Sequence, residues 1–219
     1  MRLRDVPFRI IDTWRHHGAA GLVRLAGGRL FPNTRILVLF GLTQPLPVPG
    51  GAFGGGLEHR FAARAEVERL PPELLRPDSL LLLDRGDRCL LQSVGGRLAG
   101  LVWISTAPVV QLFPGVRLGL PGNAVYTYRT WTDPEFRGRG LQGRRHLATL
   151  SAVGDEGRTR LLCFVDRSNL VSLKGVRKSG CEPIGTIRMK VSGDPRPRLR
   201  IRAGAWSDVT LQSPMTTTS

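Results

Sequence analysis

Residues 123 to 153, "NAVYTYRTWTDPEFRGRGLQGRRHLATLSAV", constrain this chain more than any other stretch. The β-branched and aromatic run at 123–132 predicts a strand. A loop with Gly138, Gly140 and Gly143 follows, then a helix over about 141 to 153 that Gly154 ends. A strand feeding a glycine-rich loop and a helix is a recipe for anion binding. Glycines let backbone N–H groups approach a ligand without a Cβ in the way. The helix start adds unpaired donors and a partial positive charge. Arg137 and Arg139 can add bidentate contacts to phosphate.

The flanking sequence predicts a mixed sheet. Residues 10 to 31 read as helix, and "TRILVLFGL" (34–42) as a strand. The Pro/Gly-rich "TQPLPVPGGAFGGGLEH" then reads as a connection. Residues 60–70 read as a strand, "PPELL" as a helical turn, and "SLLLL" as strand-sized. "RCLLQSV" and "RLAGLVWIS" around Gly95-Gly96 predict a hairpin. "RLLCFV" (160–165) reads as a buried strand, and "SNLVSLKGVRKSG" as a helix with Ser168 or Asn169 as N-cap and Gly180 past its end. "EPIGTIRMKV" and "RLRIRAGAW" predict a closing hairpin. A strand–helix–strand unit needs a parallel pair, so antiparallel strands must coexist with parallel ones.

The net charge is +15, of which +8 falls after residue 132. A basic surface attracts polyanions. The 29 arginines against 3 lysines look like a composition habit, however, and the tyrosines and tryptophan near basic residues in an ordered-looking stretch, Tyr126, Tyr128 and Trp131, all sit in one strand. That is thin support for a base-stacking surface, so nucleic acid is the weaker partner class. No apolar run reaches the roughly 18 to 20 residues needed to span a bilayer. The N-terminus lacks the apolar core of a signal peptide, so a cytoplasmic location is expected. Cys89, Cys163 and Cys181 form no CxxC pair, which predicts buried, reduced thiols and no metal site. His146 is expected to be solvated.

Three phosphate-loop patterns compete for residues 137–143. A Walker loop fails, because Gly143 is followed by Arg-Arg rather than Lys-Ser or Lys-Thr. Gly138-x-Gly140-x-x-Gly143 is a literal dinucleotide fingerprint, with Asp166 lying 23 residues beyond. Against it, "DPEFR" separates the strand from the first glycine, and only 53 residues follow Asp166. The third pattern is an acyl-CoA loop. "TDPEFRGRGLQGRRHL" resembles the pyrophosphate loop of GNAT acyltransferases, [RQ]-x-x-G-x-[GA] after a strand that ends in an x-Pro-x-aromatic turn. Arg137, Gly138, Arg139 and Gly140 fit; Gln142 stands where the pattern has Gly or Ala, and Gly143 comes one place later. "VDRSNLVSLKGVRKSGCEPIG" resembles the family's N-x-x-S…GF segment through Asn169, Ser172 and Gly180, with Cys181 replacing phenylalanine.

The resemblance implies an α+β, GNAT-like fold: a central mixed sheet of six or seven strands with helices on both faces. It covers roughly residues 58 to 191, within a domain expected over 58–205, preceded by an N-terminal helix–strand extension (1–57) and followed by a disordered tail (206–219). It implies that Ala124–Thr132 and Leu161–Val165 splay apart to admit the pantetheine arm. Backbone groups of Thr130, Trp131 and Thr132 would pair with its amides, and N–H groups from Arg137 through Leu141 and Gln142 to Gly143 would hold the pyrophosphate. Asn169, with Ser172, would reach the arm. The implied reaction is acyl transfer, acetyl above all, from acyl-CoA to a primary amine of a small molecule or peptide. Acetyl-CoA would be the co-substrate, with no metal.

Many relatives protonate the leaving thiolate with a tyrosine where this chain has Val176. Tyr126 and Tyr128, on one face of their strand, are the substitute candidates, and Glu58 or Glu135 the candidate bases. Residues 1–57 could shape an acceptor cleft or a homodimer face. The alternatives are a non-catalytic acyl-CoA-binding module and a basic nucleic-acid-binding protein.

Overall fold

A computed structural model describes residues 34–43, 56–113, 116–190, 197–202 and 204–212. The helix expected over residues 10 to 31 lies outside them. In chain order the elements are β1 (Thr34–Leu42), β2 (Leu57–Phe61), α1 (Arg64–Glu68), α2 (Ser79–Asp84), β3 (Arg88–Val94), β4 (Arg97–Ser105), β5 (Val109–Phe113) and β6 (Val116–Gly119). They continue with β7 (Ala124–Thr132), α3 (Leu141–Ala152), β8 (Arg160–Asp166), α4 (Leu170–Lys178), β9 (Glu182–Lys190), β10 (Arg198–Ile201) and β11 (Thr210–Gln212).

Eight strands form one sheet in the order β10-β9-β1-β8-β7-β4-β3-β2. Every neighbouring pair is antiparallel except β7 and β8, so the sheet is mixed, as the strand–helix–strand order requires. Alternation along each strand gives the sheet two apolar faces. Val102, Ile104, Val125 and Leu161 point to the face covered by α3 and α4, where they pack with Leu150, Val153 and Val176. Leu101 and Trp103 point the other way and pack with Val67 of α1 and the leucines of α2. Farther along that second face, Leu37, Leu39, Tyr126 and Leu162 meet Val110, Val116 and Leu118. These last belong to a separate sheet, β11-β6-β5, that the sequence reading did not foresee.

Four expectations need correction. The strand at 34–42 was assigned to an extension outside the domain, yet β1 lies inside the sheet, hydrogen-bonded to β8 on one side and β9 on the other. Its Leu37, Leu39 and Phe40 are fully buried. The boundary expected at residue 57 therefore does not divide the sheet. The tail expected to be disordered from 206 instead returns to the core: Trp206 and Val209 are buried and β11 pairs with β6. Arg160 of β8 anchors this return, donating to both Asp208 carboxylate oxygens (2.7 and 3.0 Å) with its guanidinium over the Trp206 ring. Finally, residues 60–70 are not one strand. The chain leaves β2 at Phe61 and turns into α1, whose Glu66 accepts from the Ala63 N–H and from both Arg60 Nη groups. "SLLLL" is likewise helical, within α2.

Candidate functional site

The parallel pair sets the site. β7 and β8 are hydrogen-bonded only from Ala124–Tyr126 to Arg160–Leu162. Beyond Tyr126 the β8-facing edge of β7 is unpaired, while its other edge stays on β4 as far as Thr132. The splay expected between these strands is therefore present, and it leaves a row of backbone N–H and C=O groups open. An open strand edge is a template for an amide-bearing ligand. A bulge interrupts the β4–β7 register between Leu101 and Trp103, and opposite it Arg129 adopts φ 47°.

At the C-terminal end of β7 the chain makes a single 3-10 turn, Pro134–Phe136, capped by Asp133, whose side chain accepts from the Glu135 N–H at 2.8 Å. Phe136 is buried under this turn. Arg137 then folds back, its Nε donating to the Thr132 carbonyl at 3.1 Å. Gly140 is the N-cap of α3 with φ 72°, a conformation that costs a non-glycine residue about 1–2 kcal/mol. The first turn closes with Arg144 N–H donating to the Gly140 carbonyl. The N–H groups of Leu141, Gln142 and Gly143 therefore have no intrahelical acceptor. Residues 137–140 are exposed. The arrangement presents consecutive unpaired donors and a helix start to solvent, which fits a phosphate-bearing group. Gln142 does not obstruct it, since its side chain lies against Gly175 of α4.

Beneath the loop runs a buried polar chain that the sequence reading missed. Arg145 of α3 is fully buried, yet its guanidinium faces no carboxylate among the described residues. It donates to Gln92 Oε1 at 2.9 Å and to Thr132 Oγ1 at 2.7 Å. Gln92 continues to His59 Nε2 at 2.8 Å and to the Leu141 carbonyl at 3.2 Å. Burial pushes the Arg145 pKa down to about 10, and burial together with the Arg145 charge lowers that of His59. Gly100 on β4 makes the room: a Cβ there would stand 1.8 Å from Arg145 Nη1. Thr132 is thus held twice, by its hydroxyl from Arg145 and by its carbonyl from Arg137.

The expected catalytic groups divide. Tyr126 and Tyr128 do share a face and stack with centroids 5.4 Å apart. Tyr126 is buried and also stacks on Phe164 of β8, so it is core, and burial raises its pKa. Tyr128 is half-buried and donates to Asp87 Oδ2 at 2.5 Å. Burial, then this hydrogen bond, holds its hydroxyl well above the usual range. Glu58 is exposed on the edge strand β2, with β3 and β4 between it and β7, so the structure does not bring it to the splay. Glu135 is exposed and paired with Arg97. His146, expected in solvent, is buried against Ser179 and Cys181.

Asn169 caps α4, its side chain accepting from the Ser172 N–H at 3.1 Å. Val176 is buried in the core of the helix-covered face, so no hydroxyl stands at that place. Asp166 pairs with Arg35 of β1 and accepts from Ser168, which commits the carboxylate a dinucleotide ribose would use.

No protein-family model matches the chain, and comparison with curated proteins finds no match. Among solved structures, the chain is similar to a GCN5-related N-acetyltransferase from Sphaerobacter thermophilus (14% identity, 81% of this chain and 58% of that one, TM-score 0.49). It is similar to a GCN5-related N-acetyltransferase from Kribbella flavida (15%, 78% and 66%, TM-score 0.49). It is also similar to an acetyltransferase from the GNAT family from Colwellia psychrerythraea (10%, 83% and 56%, TM-score 0.46). The chain spans less than two thirds of the length of each of these structures.

Proposed function

We propose that the protein is an acyl-CoA-dependent N-acyltransferase of the GNAT type, acetyl-CoA being its expected co-substrate. The observation that carries this reading is the joint placement of the β7–β8 splay and the Arg137–Gly143 loop at the same end of β7. A nucleotide thioester with a long diamide arm matches both at once: phosphates for the unpaired N–H groups, and amides for the open edge at Thr130, Trp131 and Thr132.

In such a reaction the thioester is already activated, so the protein's work is alignment and charge stabilisation. Arg137 and Arg145 fix Thr132 at the junction of loop and strand. The bulge at Arg129 takes backbone groups out of the β4 ladder next to the splay, where a carbonyl oxygen needs a donor. Tyr128 is the hydroxyl assigned as proton source for the departing thiolate; burial and Asp87 hold its proton tightly, so the transfer requires the Asp87 hydrogen bond to loosen. The acceptor is a primary amine that attacks the thioester carbonyl directly.

The test is acetyl-CoA turnover, read as free thiol, against a mixed library of primary amines. Thiol release that depends on an added amine supports the reading, and Tyr128→Phe should lower kcat by about 10²–10⁴. A second reading, an acyl-CoA-binding module without transfer, is favoured by the buried Val176. Binding with only slow, amine-independent hydrolysis would select it.

A further inference from the structure

Tyr128 sits among charges that its role as a proton donor does not explain. It lies on β7 two residues past Tyr126, the last residue paired with β8, and so stands where the splay opens. Its ring packs on the α1–α2 face of the sheet, near Trp103. The next residue of a regular strand would point to the opposite face. Arg129 does not. Trp103 faces Tyr128 and Leu101 faces Trp131, so two residues of β7, Arg129 and Thr130, stand opposite Val102 alone. This bulge, with φ 47° at Arg129, turns the arginine back beside its neighbour. Its guanidinium carbon lies 5.9 Å from the Tyr128 ring centroid, and Nη2 donates to Asp78 Oδ2 at 2.5 Å. Asp78 is the N-cap residue of α2, yet its side chain makes no cap hydrogen bond and goes to Arg129 instead. A positive φ on an arginine and an uncapped helix start both carry a cost, and together they hold one cation beside Tyr128.

The bonding around Tyr128 is incomplete in two places. Arg129 Nη1 is buried and has no hydrogen-bond partner among the described residues. Its charge is already matched by Asp78, so Nη1 suits a neutral oxygen better than a second anion. Asp87 is the converse. It is half-buried at the turn from α2 into β3, and its Oδ2 accepts from the Tyr128 hydroxyl at 2.5 Å. No arginine, lysine or histidine pairs with it among the described residues. A half-buried carboxylate without a cation favours one.

We propose that Asp87 and Arg129 form the acceptor subsite, and that the acceptor is a cationic primary amine with a neutral carbonyl or hydroxyl oxygen beside it. Its role as an acceptor rests on the acyl-transfer reading; its binding does not. The ammonium donates to Asp87, and the neutral oxygen accepts from Arg129 Nη1. A carboxylate in place of that oxygen would stand near Asp78 and Asp87 with Arg129 already paired. The ammonium also takes over the carboxylate that the Tyr128 hydroxyl occupies, which loosens that hydrogen bond and frees the phenol for the departing thiolate. Loss of one proton to water leaves the amine donating an N–H to Asp87, with its lone pair free to attack. Acid and acceptor are thereby coupled: Tyr128 is released only when an amine is in place.

The experiment measures binding of four small amines to the full-length protein in the presence of CoA, by saturation-transfer NMR with competition. Glycinamide and ethanolamine carry the neutral oxygen as a carbonyl and as a hydroxyl; glycine carries a carboxylate, and ethylamine has no oxygen. Glycinamide or ethanolamine should bind about tenfold or more tightly than glycine and ethylamine, and the tighter of the two identifies the oxygen. Arg129→Asn, a residue that tolerates positive φ, should reduce that ligand to the ethylamine level. Asp87→Asn should weaken it about tenfold or more and leave acetyl-CoA binding unchanged. Equal binding of all four amines, tightest binding of glycine, no binding of any, or binding that survives Asp87→Asn unchanged would overturn the proposal. The wild-type comparison needs no substitution. Acetyl-CoA calorimetry on the same sample reports on the acyl-CoA reading separately: selective amine binding without acetyl-CoA binding would leave the subsite standing and sink the enzyme reading.

Discussion

Arg145 carries its charge into the interior with only neutral oxygens to receive it. A buried guanidinium in that position depends heavily on each acceptor it has. Gln92→Ala should therefore destabilise the protein by about 2–3 kcal/mol, beyond an ordinary polar-to-alanine change, as read by urea unfolding. A loss below about 0.5 kcal/mol would mean that water substitutes for Gln92.

Tyr128 gives a prediction in pH. Its folded pKa is raised by burial and by Asp87, so folding favours the protonated phenol. The stability this contributes is complete below about pH 10, the unfolded value, and is lost as pH rises from there toward the folded value. Melting temperature should fall as pH rises above about 10, and Tyr128→Phe should make that fall shallower; an unchanged slope would count against the assignment.

At the scale of elements, what the sequence made legible was what local chemistry decides. The ends of α4 could be read because Asn169 caps it and Gly180, at φ 84°, terminates it. Asn169→Ala should cost about 1 kcal/mol through the lost cap, measured by thermal unfolding. The glycine loop and the Gly95-Gly96 hairpin were legible for the same reason. α1 was not, because a helix of five residues is held by Val67 in the core and by Arg60 on Glu66, contacts that no local pattern encodes. The same limit hid half of the candidate site. Gln92 and Arg145 are 53 positions apart, and Asp87 and Tyr128 are 41 apart. Only the sheet brings them together. The buried state of His146 was missed because a histidine on a basic helix looks solvated until the partner helix is placed.

At the scale of the whole molecule, the placement of β1 matters most. Its position between β8 and β9 means that one wall of the splay is built on residues 34–42. A fragment beginning at residue 58, the boundary the sequence suggested, would lose both β1 ladders and the buried Leu37, Leu39 and Phe40. Circular dichroism and cooperative melting should show that this fragment does not fold; a cooperative fragment would contradict the role given to β1.

The central claim, that the loop and splay receive an acyl-CoA, is tested most directly by calorimetric binding of acetyl-CoA. NAD serves as the rival ligand, and Gly140→Glu, checked for folding, as the blocked site. The account predicts saturable binding of acetyl-CoA by the wild type, none of NAD, and loss of the acetyl-CoA signal in the folded variant. NAD binding in place of acetyl-CoA, or acetyl-CoA binding that survives Gly140→Glu unchanged, would contradict it.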